Sequence, residues 1–311
     1  MKFIKDIKEG DRISDIYLCK SRNSATTRNG KPYDNVVLLD KTGTIDAKVW
    51  EPNSAGIGEY DVLDYIEIFG EVSSFNGALQ VSIKRIRKCA QGEYDPSEYM
   101  PATPFNVDDM WRELLGLIDS VQEPHLKELL DHFFRDDNFA AAFKASSAAK
   151  SIHHSFVGGL LQHTLGVARI CDFLASKYYR LNRDLLISAA VCHDIGKIRE
   201  LSLYPHNDYT DEGQYLGHII IGIEMIDEAL KHIEGFPVAL EQELKHCILS
   251  HHGEFEFGSP KKPAIIEAVA LNFADNTDAK LEAFTELLEN SNETGWMGFN
   301  RIFESNLHKT E

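Results

Sequence analysis

The stretch Ala189–Lys197 reads AAVCHDIGK and places the pair His193-Asp194 directly after an apolar segment. That segment, Asp184–Cys192, is predicted to be a helix. A neighbouring imidazole and carboxylate can bind one metal ion together, and the second carboxylate oxygen can bridge to another ion. A His-Asp dipeptide often occurs by chance, so it indicates a metal site only if other potential ligands lie near it in the fold.

The histidines of the chain are concentrated in the region of sequence that contains this pair. Of 13 histidines in 311 residues, none lies in residues 1–90, and ten lie between His153 and His252. Histidine is the commonest metal ligand near neutral pH. This crowding, in a region of helical periodicity, indicates a metal site.

The candidate ligands follow the order of the predicted helices. They are His163 in the helix Phe156–Tyr178, His218 at the start of Gly217–Leu230, His251 and His252 after Ala239–Ser250, and Asp275 within Ile265–Phe284. A lone histidine on a helix is more often a surface or core residue. Helices of a bundle can nevertheless point such a series at one place. Nitrogen and carboxylate ligands suit Mn²⁺, Fe²⁺, Co²⁺ or Zn²⁺.

Residues 1–90 have the period of β-strands rather than helices. The predicted strands are Arg12–Lys20, Asn35–Asp40, Ile45–Trp50, Tyr65–Val72 and Leu79–Ile86. Five short antiparallel strands in fewer than 100 residues predict a small closed barrel. The OB-fold is the commonest such barrel that binds oligonucleotides, and an SH3-like barrel is the alternative that periodicity leaves open.

The chain therefore reads as multidomain, with a small antiparallel β-barrel followed by an all-α domain. We expect the barrel in residues 1–90, a linker in residues 91–106 and the helical domain in residues 107–311. The linker carries Pro96, Pro101 and Pro104, which interrupt both helices and strands. The first helix of the second domain is predicted over Trp111–Ser120.

The composition is that of a globular protein outside the membrane. Hydrophobic residues make up 43% and charged residues 26% of the chain. The start, MKFIKDIKEGDRISD, has no apolar run of the kind found in signal peptides. Five cysteines lie far apart without a CxxC pair, which argues against disulfides and thiolate zinc sites. We expect a cytoplasmic protein without a membrane partner.

The net charge of −17 is unevenly distributed. Residues 1–90 hold 14 Lys and Arg against 13 Asp and Glu, whereas the remainder holds 18 against 36. Strong negative charge disfavours non-specific binding to nucleic acid, so only the N-terminal region could meet a phosphate backbone without general repulsion. Its candidate contacts are Tyr33, Trp50 and Phe75 for stacking, and Lys48, Lys84 and Arg85 for phosphates. The alternative is that Trp50 and Phe75 fill the barrel core.

The histidine and aspartate series resembles the HD superfamily of metal-dependent phosphohydrolases. Nearly the whole chain is similar to the YhaM-type 3′–5′ exoribonucleases, which combine an N-terminal OB-fold with a C-terminal HD domain. The segments that carry the resemblance, after the barrel pattern, are AAKSIHHSFVGGLLQHT, HDIGKIRE, GHIIIGIEMI, ILSHHGEFEFGSP and ADNTDAK.

The resemblance implies two divalent ions per chain, with Mn²⁺ or Fe²⁺ favoured and Co²⁺ or Zn²⁺ as alternatives. The first ion would take His163, His193, Asp194 and Asp275. The second would share Asp194 and take His218, His251 and His252. Asp278, one helical turn after Asp275, is the alternative to it as a ligand.

The resemblance also implies a 3′–5′ exonuclease that hydrolyses single-stranded RNA, and DNA as a further candidate, through a metal-activated hydroxide. Asp194 and Lys197 would act at the phosphate, and His153 and His154 are candidates to contact substrate or leaving group. Two other functions stay open: a phosphohydrolase of cyclic nucleotides or nucleoside phosphates, and a non-catalytic nucleic-acid-binding adaptor. The sequence also leaves homo-oligomerisation open.

Overall fold

The computed structural model describes residues 1–27, 29–75, 77–95, 98–150, 156–289, 291 and 294–310. The chain divides into two compact units. The first comprises Met1–Pro104 with Ser202–Asp208, and the second Phe105–Leu201 with Tyr209–Glu311.

The first unit contains a closed five-stranded barrel. Its strands are β1 (Arg12–Thr26), β2 (Pro32–Asp40), β3 (Gly43–Val49), β4 (Tyr65–Phe75) and β5 (Ala78–Lys88). Their order around the barrel is β1-β2-β3-β5-β4, and β3 pairs with β5 in parallel while the other pairs are antiparallel. This is the topology of an OB-fold, so the predicted barrel is confirmed and the SH3-like alternative is wrong.

Alternation of side chains produces the barrel interior. On β2 the buried residues Val36 and Leu38 alternate with partly exposed ones, and on β3 Ile45, Ala47 and Val49 are buried in the same way. The alternation is that of strands with one face on the core. As a result the intervening residues of β2 and β3 share the outer face of the barrel.

The barrel also contains a buried carboxylate, Asp34 on β2. It accepts hydrogen bonds from Arg22 Nε at 2.9 Å, Ser24 Oγ at 2.6 Å and the Tyr60 hydroxyl at 3.0 Å. Burial raises the pKa of Asp34, but these three partners outweigh it and hold the pKa below its usual value. The ionised carboxylate therefore ties β1, β2 and the segment after β3 together.

The second unit is helical. Its helices are α1 (Val107–Asp119), α2 (Pro124–Phe134), α3 (Asp137–Ala145), α4 (Gly159–Lys177), α5 (Arg183–Cys192), α6 (Lys197–Glu200), α7 (Asp211–Leu230), α8 (Val238–Leu249) and α9 (Ile266–Glu289). A hairpin of β6 (Gly295–Asn300) and β7 (Ser305–Lys309) adds the strands that the sequence analysis did not foresee. Within the described ranges, no helix is long and apolar enough to cross a membrane.

The short helix α5 lies at the centre of this unit. Every residue from Leu185 to Cys192 is buried, and the helix contacts α4, α8 and α9. A helix that is apolar on all sides is stable only when it is surrounded by others. Because α5 ends in the core, His193 and Asp194, which follow it, are buried with exposures of 0% and 1%.

Helix α7 is broken at Gly217, whose φ of 72° and ψ of 157° are not helical. A positive φ is readily adopted only by glycine. His218 therefore begins the second segment of α7, as the sequence predicts. Gly196 allows close packing here, because a Cβ on it would lie 2.0 Å from the His218 carbonyl oxygen.

Candidate metal centre

All seven candidate ligands meet at one place in the helical unit. His163 lies on α4, and His193 and Asp194 follow α5. The others are His218 after the break in α7, His251 and His252 after α8, and Asp275 on α9. Segments far apart in sequence thus bring their imidazoles and carboxylates to one cluster.

The first group of donors consists of His163, His193 and Asp275. The Nε2 atoms of His163 and His193 are 3.2 Å apart, and His163 Nε2 lies 3.1 Å from Asp275 Oδ1. One donor atom from each residue falls within 4.8 Å of the others. That spacing allows the three side chains to share one cation.

The second group consists of His218, His251 and His252. Their donor atoms also lie within 4.8 Å of one another. The rings of His251 and His252 are at 4.3 Å between centroids, and His252 is 5.2 Å from His218 by the same measure. Three imidazole nitrogens at this spacing, with the carboxylate of Asp194 nearby, suit a divalent ion such as Mn²⁺, Fe²⁺, Co²⁺ or Zn²⁺.

Asp194 lies between the two groups and presents one oxygen to each. Its Oδ2 is 3.5 Å from His163 Nε2 and 3.3 Å from His193 Nε2. Its Oδ1 is 3.5 Å from His218 Nε2 and 3.8 Å from His251 Nε2. A carboxylate in this position can bridge two ions.

The Nδ1 atom of every imidazole in the cluster is held by an acceptor. The acceptors are Asp278 Oδ2 for His163 at 2.7 Å, the Ala190 carbonyl for His193 at 2.7 Å, Glu200 Oε1 for His218 at 3.0 Å, the Ile248 carbonyl for His251 at 2.7 Å and the Phe257 carbonyl for His252 at 2.9 Å. An Nδ1–H that donates outward leaves the Nε2 lone pair available to a metal ion, which is the usual arrangement around ligating histidines.

The electrostatics of the two groups differ. Burial lowers the pKa of His163, but hydrogen bonds and charges from Asp275 and Asp278 outweigh it and raise the pKa to about 10. Burial also lowers the pKa of His251 and His252, and there the neighbouring imidazoles lower it further. The first group thus has carboxylates in direct contact with an imidazole, whereas the second group offers nitrogen donors alone.

Lys197 adds a positive charge beside Asp194. Its Nζ lies 2.7 Å from Asp194 Oδ2. Burial lowers the pKa of Lys197, but the Asp194 carboxylate outweighs it and raises the pKa. Burial raises the pKa of Asp194 in turn, and Lys197 and the histidines bring it well below its usual value. Both groups are therefore charged at neutral pH.

Buried polar atoms without hydrogen-bond partners show that the residues of the cluster fit a metal ion. Asp194 Oδ1, His218 Nε2 and His251 Nε2 are buried, and none has a hydrogen-bond partner among the residues that the structure describes. A buried polar atom without a partner costs about 1–3 kcal/mol. Three such atoms converging on one spot indicate a cation site.

The cluster opens into a cavity of about 700 Å³. His163, Asp194, Lys197, His252 and Asp275 all line it, together with residues of α9 and of the loop after α8. A substrate in this cavity would meet both donor groups and the Lys197 ammonium.

The candidate nucleic-acid contacts lie on the barrel surface. Trp50 is 48% and Phe75 64% exposed, so the alternative that they fill the barrel core is wrong. Trp50 stacks on Tyr33 with ring centroids 5.3 Å apart, and Lys48 Nζ lies 5.1 Å from the Tyr33 ring centre. The structure brings these three residues together.

The remaining candidate contacts and site residues are more scattered. Lys84 pairs with Glu71 at 2.9 Å, and Arg85 is exposed on β5. His153 and His154 lie outside the described residues.

Sequence reasoning missed the groups that orient the imidazoles. Glu200 stands in the motif HDIGKIRE and accepts from both the backbone N–H of His218, at 2.9 Å, and its ring. Asp278, considered as a ligand in place of Asp275, instead contacts the outward nitrogen of His163. The carbonyl acceptors carry no sequence signal, because every residue has one.

Comparison with known proteins agrees with this architecture. The HD domain family matches residues 160–280. The chain is 33% identical to the 3′-5′ exoribonuclease YhaM of Geobacillus sp. (strain WCH70), over 93% of this chain and 88% of the relative. It is also 33% identical to the protein of the same name from Bacillus velezensis, over 90% of this chain and 88% of the relative.

A solved structure also matches part of the chain. It is the HD domain of the Listeria monocytogenes phosphodiesterase PgpH in complex with cyclic-di-AMP, at 19% identity and a TM-score of 0.29, covering 55% of this chain and 75% of that one. The family of the chain is assigned from the relatives that match nearly its whole length. On their identity and coverage, with the OB-fold and the HD ligand series in place, the chain belongs to the YhaM family of 3′–5′ exoribonucleases.

Proposed function

We propose that this chain is a metal-dependent hydrolase that removes nucleotides from the 3′ end of single-stranded RNA. The observation that carries the proposal is the convergence of both donor groups on Asp194, beside Lys197 and inside one cavity. Family membership supports the direction of attack and RNA as substrate, since the relatives are named 3′-5′ exoribonucleases.

We propose two ions per chain. His163, His193 and Asp275 with Asp194 would hold one, and His218, His251 and His252 with Asp194 the other. A set of nitrogen and carboxylate donors without thiolates suits Mn²⁺ or Fe²⁺, which we favour, with Co²⁺ or Zn²⁺ as alternatives. The distance of Asp275 to the inward nitrogen of His163 supports Asp275 as the ligand, and Asp278 as the residue that orients His163.

Bound divalent ions would supply Lewis-acid stabilisation of the phosphoryl oxygens and a water of lowered pKa. The residues of the chain itself would position the ligands and neutralise charge. Asp194 lies between the two groups of donors, and the five acceptors of the Nδ1 hydrogen bonds hold the imidazole rings in place. Lys197, charged and within reach of the cavity, would donate from Nζ to a non-bridging phosphate oxygen as negative charge grows there.

We propose that the barrel holds the strand. The Tyr33–Trp50 stack, with Lys48 over Tyr33, offers a π-face beside a cation on the outer face of β2 and β3. OB-folds bind single strands through this face and the adjoining loops, and Phe75 ends β4 at such a loop. Arg85 and Lys84 would contact phosphates more weakly, because Glu71 competes for Lys84.

The remaining assignments are also proposals. We assign residues 1–90 to strand binding, residues 91–106 to a linker and residues 107–311 to hydrolysis. DNA is a second candidate substrate, His153 and His154 are candidate substrate contacts, and the expected location is the cytoplasm. Homo-oligomerisation stays open.

The test is to incubate Mn²⁺-loaded protein with a 5′-labelled single-stranded RNA and, separately, with cyclic dinucleotides. We expect a ladder of products shortened from the 3′ end, release of nucleoside 5′-monophosphates, and close to two ions per chain by elemental analysis. Hydrolysis of cyclic dinucleotides alone would instead support the small-molecule function. Binding of RNA without hydrolysis under any divalent ion would support the adaptor.

A further inference from the structure

One wall of the cavity carries exposed apolar side chains that the metal centre does not use. Phe273 and Val269 of α9 are 63% and 41% exposed, and Phe257 of the loop after α8 is 66% exposed. All three line the same cavity as Asp194 and Asp275. In the described part of the chain, neither phenylalanine ring stacks on another aromatic ring, so the exposed part of each ring can contact a partner.

The cavity-lining residues of α9 follow a chemical order around the helix. At 100° per residue, the lining arc begins at Asp275, passes Asn272 and Asn276, and ends at Phe273, with Val269 and Lys280 close to that end. The arc thus runs from a carboxylate of the candidate metal centre, through two amides, to an edge where Val269 and Phe273 flank the Lys280 ammonium. Asn276 and Lys280 are both exposed.

A nucleotide has the same order of groups, from phosphate through ribose hydroxyls to an aromatic base. We infer that this face of α9 is the nucleoside subsite of the exonuclease, with Phe273 and Val269 under the base of the 3′-terminal nucleotide and Asn276 beside its ribose. The inference rests on the proposed hydrolysis of RNA and names where the nucleotide being removed is bound.

The chemistry of the wall defines its selectivity. Phenylalanine stacks on any base and has no hydrogen-bonding group to read base edges, so the subsite accepts all four nucleotides. Asn276 has both a donor and an acceptor, which match the donor and acceptor of a ribose 2′-hydroxyl. This subsite therefore predicts sequence-independent removal of nucleotides with a preference for ribose at the 3′ end.

Phe257 connects the subsite to the metal centre. Its backbone carbonyl accepts the hydrogen bond from His252 Nδ1 at 2.9 Å, while its side chain lines the cavity. The same short loop thus orients a metal ligand and presents a ring to the substrate. We assign Phe257 as the second apolar surface for the terminal nucleoside.

The test compares Phe273→Ala with Leu281→Ala on short 5′-labelled RNA. Leu281 lies on the same helix and is also 63% exposed, but it is not part of the cavity wall. We expect Phe273→Ala to raise KM by about 5- to 150-fold, the equivalent of about 1–3 kcal/mol for one stacked base, with a smaller effect on kcat. Leu281→Ala should behave as wild type.

A substrate with an abasic 3′-terminal nucleotide provides the second arm. Wild-type protein should bind it more weakly than intact RNA, and Phe273→Ala should weaken its binding no further. Asn276→Ala should lower the ratio of activity on 3′-terminal ribose to that on 3′-terminal deoxyribose towards one. Circular dichroism and metal content of each variant identify any that fails to fold, and Phe273→Leu then replaces Phe273→Ala.

The outcomes separate this inference from the proposed function. If wild-type protein degrades RNA from the 3′ end but Phe273→Ala and Leu281→Ala have equal KM, the subsite is wrong and the exonuclease assignment stands. An equal further loss by Phe273→Ala on intact and abasic substrates also overturns it. If wild-type protein does not hydrolyse RNA, the proposed function itself fails.

Discussion

Asp278 Oδ2 lies 2.7 Å from Nδ1 of His163, on the opposite side of the ring from the Nε2 that faces Asp275. One imidazole is thus held between two carboxylates of α9, separated by a single helical turn. The inner carboxylate is placed to bind metal with His163, and the outer one fixes the ring's orientation. These different roles give the two aspartates different predicted phenotypes.

The pair Asp275→Asn and Asp278→Asn tests this division. Asp275→Asn should remove a negatively charged ligand and abolish RNA hydrolysis. Asp278→Asn should keep the protein active but reduce metal affinity by about 10- to 100-fold, as for other residues that orient a ligand. Activity titrated against Mn²⁺ distinguishes them, since only Asp278→Asn recovers at high metal concentration. Equal, unrecoverable loss in both variants would contradict the assignment.

A glycine in α4 controls the position of Asp278. A Cβ on Gly166 would lie 2.0 Å from Asp278 Oδ1. Gly166→Ala should therefore displace that side chain and reproduce the weakened metal binding of Asp278→Asn in a folded protein. Gly116→Ala in α1 is the matched control, because no atom lies within 4 Å of its Cβ. It should stabilise the fold by about 0.5–1 kcal/mol and leave metal titrations unchanged.

Lys197→Met tests the role of the buried ammonium. Because Lys197 neutralises part of the Asp194 charge, its loss should leave metal affinity equal to or higher than that of wild type. RNA hydrolysis should nevertheless fall by about 100- to 1000-fold in kcat, the usual effect of losing one donor to the developing charge. Isothermal titration with Mn²⁺ and single-turnover assays measure the two effects separately. Loss of metal would make Lys197 a structural residue.

The buried carboxylate of the barrel predicts a pH dependence of stability. The pKa of Asp34 is lowered in the folded protein, so its contribution is present above the unfolded value of about 3.9 and disappears as pH falls through the folded value. Asp34→Asn should cost about 1–3 kcal/mol at pH 7. Denaturation from pH 7 to pH 3 should show that difference shrinking. Asp46→Asn, an exposed site on β3, should show no such trend.

The exposed aromatic residues of the barrel predict where long RNA molecules bind. Trp50→Ala removes the ring that stacks on Tyr33, and we expect KM for long RNA to rise by about 5- to 150-fold, from about 1–3 kcal/mol per stacked base. The turnover number should change little, since the contact is remote from the reacting bond. Phe69→Ala, at an exposed aromatic of β4, is the control. Equal effects of both substitutions would place the RNA elsewhere.

Much of this centre could be predicted because its ligands are spaced along the chain in a fixed order of residue types. His193-Asp194 marks the end of a helix that the sequence predicts, and the other histidines fall at predicted helix ends or faces. The outward acceptors could not be predicted in the same way. The carbonyls of Ala190, Ile248 and Phe257 act through backbone geometry, which side-chain identity does not encode.

The distinction between Asp275 and Asp278 had a similar limit. Both are aspartates on one face of α9, and only the tertiary packing against Gly166 decides which reaches each nitrogen of His163. The fold shows the same pattern. Periodicity predicts the five barrel strands and six of the helices, whereas it does not predict α2, α3, α6 or the terminal hairpin β6–β7. Helix α2 does have a helical repeat of buried apolar residues, whereas the hairpin buries only Leu307 among its described residues and so has no clear alternation.

The position of Asp194 between the two donor groups has a consequence for how the protein responds to metal supply. Each oxygen of this carboxylate faces a different group of donors, but the two oxygens share a single negative charge. The first ion to bind neutralises much of that charge, so the second binds more weakly than it would alone. We expect two-step, anticooperative loading, in which a half-filled protein accumulates at intermediate metal concentration and full activity arrives only when the metal is abundant.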